Sequence, residues 1–339
     1  MRITRETLLK LAQEAVAERV RANRGIVTAY VAGSVLTQEP LLGGTTDIDL
    51  FLIHDSRPPY EREIVRLSPE VHLDIVHHSQ ALYHQPRHLR TDLWLGSTLY
   101  FNPILLHDTQ HWFEFTQSSV RSLFWQADNV MRRSRPLAEK ARQTWMRLQT
   151  GERGPVEGFS LYLAALEAAA DAIASLTGAP LSERRFLIDF SARAQAVEQA
   201  GLGVGLAGLL GQANIDVDTV RGWIPAWRAA FLEAGNQIET PVDRQPLRLG
   251  YYERAIEALL SSDAPQTALW PLLNTWVHSL TLLADGSEHL NAWEMACAAL
   301  GFAGKDFQDR LAGLDAYLDS IEETLDRWGA ANGVEASAA

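Results

Sequence analysis

Two aspartates stand one residue apart in an otherwise apolar run, Asp47-Ile48-Asp49-Leu50-Phe51-Leu52-Ile53. The run reads as a strand, in which residues i and i+2 project from the same face. Asp47 and Asp49 therefore point the same way. Two aligned carboxylates with apolar flanks repel each other unless a cation lies between them. The run must then pack into a sheet while its first turn opens onto a site that accepts a cation. Oxygen-only ligands suit Mg²⁺, which keeps several waters and takes its remaining ligands from one or two carboxylates and substrate phosphates.

The neighbouring sequence extends this arrangement. Ile26 to Ala32, after Gly25, is a short apolar, β-branched run and predicts a strand. Gly33-Ser34 follows it at a predicted strand-to-helix turn. A small residue there lets backbone N–H groups approach a phosphate, and a helix start favours an anion. Val71 to Val76 alternates as Val-His-Leu-Asp-Ile-Val and predicts a third strand. It carries Asp74, a third carboxylate able to complete a two-metal site. Ile104 to Leu106, after Pro103, predicts a fourth, short strand. Pro58-Pro59 marks a break before a short helix predicted over Tyr60 to Leu67.

Past residue 115 the pattern changes to helix after helix. Predicted helices run from Ser118 to Gln149, Phe159 to Leu176, and Ser182 to Gln199 with a serine cap. Others lie around 216–234, 248–262, 265–284, 287–300 and 305–328. Eight of the ten tryptophans lie after residue 113 and eight of the ten histidines before it. These shifts predict an α+β chain in two domains: 1–115, a small mixed β-sheet flanked by helices, and 116–330, all helical. A tail over 331–339 is expected to fray.

The 30 basic and 42 acidic side chains give a net charge of −12. Lysine occurs only at Lys10, Lys140 and Lys305, and no basic stripe interleaved with aromatics is visible. Nucleic acid is not an expected partner. Cys297 is the sole cysteine, so no internal disulfide forms, as in a reducing compartment. The first helix, about Thr4 to Ala22, is too charged for a signal peptide, and no apolar run reaches 18 residues. A cytoplasmic protein without a membrane span is the expectation.

Ala32-Gly33-Ser34, twelve residues, Asp47-Ile48-Asp49-Leu50, then Leu73-Asp74-Ile75 together resemble the DNA polymerase β-type nucleotidyltransferase superfamily. The resemblance covers about residues 1–113. The helical remainder resembles, in outline, the antibiotic (kanamycin- or streptomycin-type) nucleotidyltransferases. The resemblance implies that Gly33 and Ser34 hold a triphosphate and that Asp47 and Asp49 bind two Mg²⁺ ions. It implies that Asp74 ligates the second ion and helps deprotonate the attacking hydroxyl. The implied reaction transfers a nucleotidyl group, with ATP the expected donor, to a hydroxyl of a small acceptor and releases pyrophosphate. Alternatives are transfer to a protein hydroxyl, and nucleotide binding without turnover. Some relatives build the acceptor site across a dimer, so a homodimer packed on the 118–149 helix is compatible with the resemblance.

Other features were weighed against these. Glu167 and Asp171 are the only charges between Phe159 and Leu176, four apart on one helix face. They form either a solvated stripe or a cleft wall that binds a cationic, aminoglycoside-like acceptor. Lys140 and Arg185 are candidate nucleotide contacts, from a set that includes Arg132, Arg133, Arg135 and Arg184. Trp112 and Tyr100 are candidates to stack on a base or acceptor ring, with core packing the competing reading. His72, His77, His78, His84 and His88 crowd into one stretch without a cysteine, and packing is preferred there to a zinc site. Gly203-Val-Gly205-Leu-Ala-Gly208 spells a dinucleotide motif but lacks a preceding strand, so close helix packing in a loop is expected.

Overall fold

The computed structural model describes residues 3–150, 153–211, 215–284 and 286–334. The chain forms two compact units, 1–129 and 130–339. The division falls beyond the expected residue 115 because the helix over 113–123 packs Phe113 and Val120, with Phe124 after it, into the aromatic core of the first unit.

The first unit opens with α1 (Arg5–Ala22), capped by the Thr4 side chain, which accepts a hydrogen bond from the Thr7 N–H. Five strands follow: β1 (Ile26–Ala32), β2 (Thr46–His54), β3 (Arg62–Arg66), β4 (Val71–Ser79) and β5 (Ile104–Asp108). Their order in the sheet is β3-β4-β2-β1-β5. β2 and β4 run parallel and every other pair is antiparallel, which makes the sheet mixed. β3 corrects the helix predicted over Tyr60 to Leu67. Charged, helix-favouring residues there are overridden by pairing with the edge of β4, and the β-branched Ile64-Val65 carried that signal.

Strand alternation sorts the sheet into two faces. Ala29, Val31, Ile48, Leu50, Leu52, Leu73 and Ile75 pack with Leu8, Ala12, Ala15 and Val16 of α1. Burial of each large aliphatic side chain there contributes roughly 1.5–3 kcal/mol. Tyr30, Ala32 and Ile53 point the other way, into a cluster with Tyr83, Leu89, Leu99, Phe113, Val120 and Phe124. The last five come from α2 (Pro86–Thr91), α3 (Leu93–Tyr100) and α4 (Phe113–Leu123) with the residue after it. Asp47 and Asp49 share the parity of Phe51 and Ile53, and so lie on this second face.

The second unit is helical: α5 (Ala127–Gln149), α6 (Pro155–Ala174), α7 (Phe186–Ala196), α8 (Ala200–Leu209), α9 (Val217–Gly235), α10 (Leu249–Leu260), α11 (Leu269–Thr281), α12 (Leu290–Ala299) and α13 (Gly304–Ala331). The helix expected from Ser118 to Gln149 is two, α4 and α5, separated where Phe124 stacks on Tyr100 at 4.8 Å and Trp125 meets the same ring edge-on. Arg142 on α5 ties to α13 through Asp315, Asp319 and Glu322. The 203–208 glycines lie inside α8 rather than in a loop. A Cβ on Gly205 would stand 3.2 Å from the Tyr317 ring, so the expected close packing is present within a helix. Of the expected tail, 335–339 lie outside the described residues. No described helix is long and apolar enough to cross a membrane.

Candidate functional site

The register of the parallel pair β2–β4 sets Asp49 directly beside Asp74 and Asp47 beside His72. On the other side of β2, Asp49 lies opposite Ala32, the last residue of β1. Three carboxylates from two strands thus gather at one end of the sheet, next to the turn that leaves β1. Asp47 and Asp74 are buried and Asp49 is partly exposed. His72 is fully buried, with Nδ1 3.9 Å from Asp47 Oδ1.

Gly33 has φ +72°, in the left-handed region, and a Cβ built there would fall within the Asp49 carboxylate. Only glycine lets the chain turn so close beneath that side chain. Ser34 Oγ lies 3.4 Å from Thr46 Oγ1, joining the turn to the start of β2. The expected helix after Gly33-Ser34 is a single four-residue 3₁₀ turn, Gly33–Leu36. No α-helix starts at this turn, so the expected helix end is not present beside Gly33 and Ser34.

β3 supplies a residue that sequence reasoning missed. Arg62 donates to both oxygens of Asp74, from Nε at 2.7 Å and Nη2 at 2.6 Å. Such a two-pronged pair fixes carboxylate orientation. It depends on β3 being a strand, so reading that stretch as a helix hid it.

Donor chemistry supports a hard cation at Asp47 and Asp49, which offer only oxygens from one face. Both oxygens of Asp74 are engaged by Arg62, so an ion there would share or displace that partner. Among the described residues, one set of three acidic or histidine ligand atoms lies within 4.8 Å of one another: Glu233, Glu288 and His289 on the helical unit. The three aspartates are not so gathered. Of the crowded histidines, His77 pairs with His54, His78 bonds Tyr83 at 2.9 Å, and His84 and His88 are exposed.

The remaining candidates divide between the units. In the first, Trp112 packs against Tyr83 with ring centres 5.2 Å apart, and Tyr100 stacks on Phe124. Both belong to the aromatic cluster, which is the packing reading. In the second, Lys140 is exposed on α5 and its charge acts on Glu167 and Asp171. Arg185 acts on Asp189. The structure therefore sets Lys140 beside the acidic pair.

That pair belongs to a larger polar group. Asp171 is buried and accepts from the Leu181 N–H at 2.9 Å, so it is not part of a solvated stripe. Burial pushes its carboxyl up to about 7, the backbone N–H opposes this, and the Glu167 charge adds to it. Glu167 is exposed, yet crowding by protein raises its pKa, with Glu183 contributing. Glu183 accepts from Arg244, Tyr252 and Asn274. Burial pushes Glu183 up, but the Arg244 guanidinium and the Tyr252 hydroxyl outweigh it and leave the carboxyl below its ordinary value. Arg244 also donates to His278 Nδ1 at 3.2 Å. Sequence spacing found Glu167 and Asp171 but not Glu183, Arg244 or Asn274, which come together only where the turns Glu183–Arg185 and Val242–Arg244 meet α10 and α11. A separate cavity of about 560 Å³, lined by Val204, Val217, Val220, Leu260 and Leu269, contains none of the expected site residues.

No family model matches the chain, and no curated protein matches it.

Proposed function

We propose that the protein is a Mg²⁺-dependent nucleotidyltransferase that moves a nucleotidyl group, AMP from ATP in the leading form, to a hydroxyl of a small cationic acceptor. The observation that carries this reading is the register of Asp49 against Asp74, with Asp47 on the same face and Gly33 beneath Asp49. Asp47 and Asp49 would hold the ion, which when bound neutralises phosphate charge during in-line displacement. Gly33 and Ser34 bring backbone close to where a triphosphate would lie. Asp74 is placed beside Asp49 to receive the proton of an attacking hydroxyl, and Arg62 sets its orientation. The acceptor O–H bond breaks, a bond from that oxygen to the α-phosphorus forms, and the α–β phosphoanhydride bond breaks to release pyrophosphate. In the helical unit, Glu167 is the exposed carboxylate that an amino-bearing acceptor would meet, with Asp171 one turn further along α6.

The test uses α-labelled ATP and GTP with Mg²⁺ and a panel of polar metabolites and aminated sugars. Label is expected in a small molecule and is lost in Asp49→Asn. Label on protein would move the reaction to protein nucleotidylation. Nucleotide binding without transfer would favour a sensor, the reading in which Arg62 keeps Asp74 from the cation.

A further inference from the structure

The sheet face opposite the aspartates carries a second polar chain. Arg19, near the end of α1, donates to Glu63 Oε1 on β3 from Nε at 3.2 Å and Nη2 at 3.1 Å. His77 Nε2 on β4 lies 3.4 Å from the same oxygen. His77 Nδ1 lies 3.0 Å from His54 Nε2 at the end of β2. Both imidazoles are buried, and the Tyr60 ring closes edge-on over His77 at 4.7 Å. Four elements are tied by one line of contacts: α1, β3, β4 and β2.

We propose that Arg19, Glu63, His77 and His54 form an acid-released fastening that holds the edge strand β3 to the sheet and to α1. The geometry allows one proton between the facing imidazole nitrogens. With His77 protonated on Nε2, that N–H faces Glu63 3.4 Å away and has no other partner among the described residues, and Nδ1 accepts from His54 Nε2–H. A further proton places an imidazolium in a buried site. The charged or titratable groups facing the pair are Arg19 from α1, Glu63 with Tyr60 from β3 and its approach, and Asp55 after β2; His78, next along β4, turns to the other face and bonds Tyr83. For His54, burial lowers the pKa first and His77 adds to this, against Asp55. For His77, burial again dominates over Glu63, and Arg19 adds to the lowering.

A folded-state pKa below the unfolded value means that the open chain takes protons that the closed one refuses. The fastening is therefore complete above about pH 6.5 and weakens as pH falls below it. β3 is a short edge strand: it is five residues long, pairs only with β4, and has no fully buried side chain, with Val65 half-buried against the core on the α1 face. On the opposite face Arg62, which adjoins Glu63 in the chain, grips Asp74. Release on one face therefore loosens the residue that orients Asp74 on the other. This inference does not depend on the proposed reaction.

Hydrogen exchange of the full-length protein at pH 7.5 and 5.5, corrected for intrinsic rates, tests it. The amides of 62–66 are expected to lose about tenfold protection at pH 5.5 for each histidine that stays neutral in the closed state. β1 and β5 should keep theirs. In His77→Gln the acid loss should fall to the share of His54, and in His54→Gln to the share of His77; either variant serves if the other does not fold, and in the double variant protection of 62–66 should no longer depend on pH. Equal protection of 62–66 at both pH values in the wild type would overturn the proposal. So would an acid loss that the single variants retain in full, or one that spreads equally to β1 and β5.

Discussion

Gly33 lies directly beneath the Asp49 carboxylate, with no room between them for a Cβ. The turn out of β1 and the second aspartate of β2 are thus a single fitted unit, although fifteen residues separate them in the chain. Gly33→Ala must relieve both a φ of +72° and this overlap. The left-handed backbone alone costs an alanine roughly 1–2 kcal/mol. We expect Gly33→Ala to lower unfolding free energy by at least that much and to displace Asp49, weakening Mg²⁺ binding. Urea unfolding with Mg²⁺ titration of the folded variant checks both.

Arg62 donates to both oxygens of Asp74, the atoms that a cation at this carboxylate would use. Arg62→Gln removes the guanidinium while leaving a side chain of similar length. If Asp74 joins the ion, Mg²⁺ or Mn²⁺ will bind several-fold more tightly to Arg62→Gln than to the wild type. Asp74→Asn in the same background will cancel the gain. Calorimetric titration of the three proteins reads this directly. Unchanged affinity in Arg62→Gln would place Asp74 outside the cation shell.

Much of this site was legible because strand periodicity is a local property. Asp47, Asp49 and Asp74 each sit among β-branched residues, so their strands and shared face follow from sequence. Arg62 was not legible, because Tyr60 to Leu67 has a helix-like composition and becomes a strand only by pairing with β4. The break at Phe124-Trp125 was hidden for a similar reason: no proline or glycine marks it, and the turn exists because Phe124 is drawn into the core. Glu183 and Arg244 are 61 positions apart and meet only through tertiary packing. Local pattern gave the carboxylates, and long-range contact supplied their partners.

Asp171 stays protonated further up the pH scale than an ordinary carboxyl, to about 7, because burial outweighs its bond from Leu181. The raised folded value means that the folded state holds a proton that the unfolded state has lost between the ordinary value of 3.8 and about 7. This group's contribution to stability is therefore present below the unfolded value and is lost as pH rises through about 7. Asp171→Asn keeps the shape without the charge. We expect it to be more stable than the wild type at pH 8, by roughly 2–4 kcal/mol, and nearly equal at about pH 3, below the unfolded value. Thermal unfolding at the two pH values checks the difference. If Asp171 also binds a cationic acceptor, wild-type affinity for that acceptor will rise between pH 6 and 8, and the variant will not show the rise.

Arg244 is almost fully buried, and its guanidinium supplies the charge that keeps Glu183 ionised. Removing one member of such a pair strands the other, which costs more than removing both. Arg244→Met should therefore destabilise the helical unit by roughly 3–5 kcal/mol. Glu183→Gln alone should cost less, since Arg244 keeps its pair with Asp243 and the one amide oxygen still accepts from Asn274. The double variant should recover part of the Arg244→Met loss, because no carboxylate is then left uncompensated. A double-mutant cycle from chemical unfolding reads the coupling, and strict additivity would show that the two groups do not depend on each other. His278 provides a second, independent readout. Burial lowers its pKa first and the Arg244 charge adds to this, so without Arg244 its titration should move upward toward the ordinary histidine range. NMR titration of the His278 ring in Arg244→Met therefore reads the loss of that charge directly.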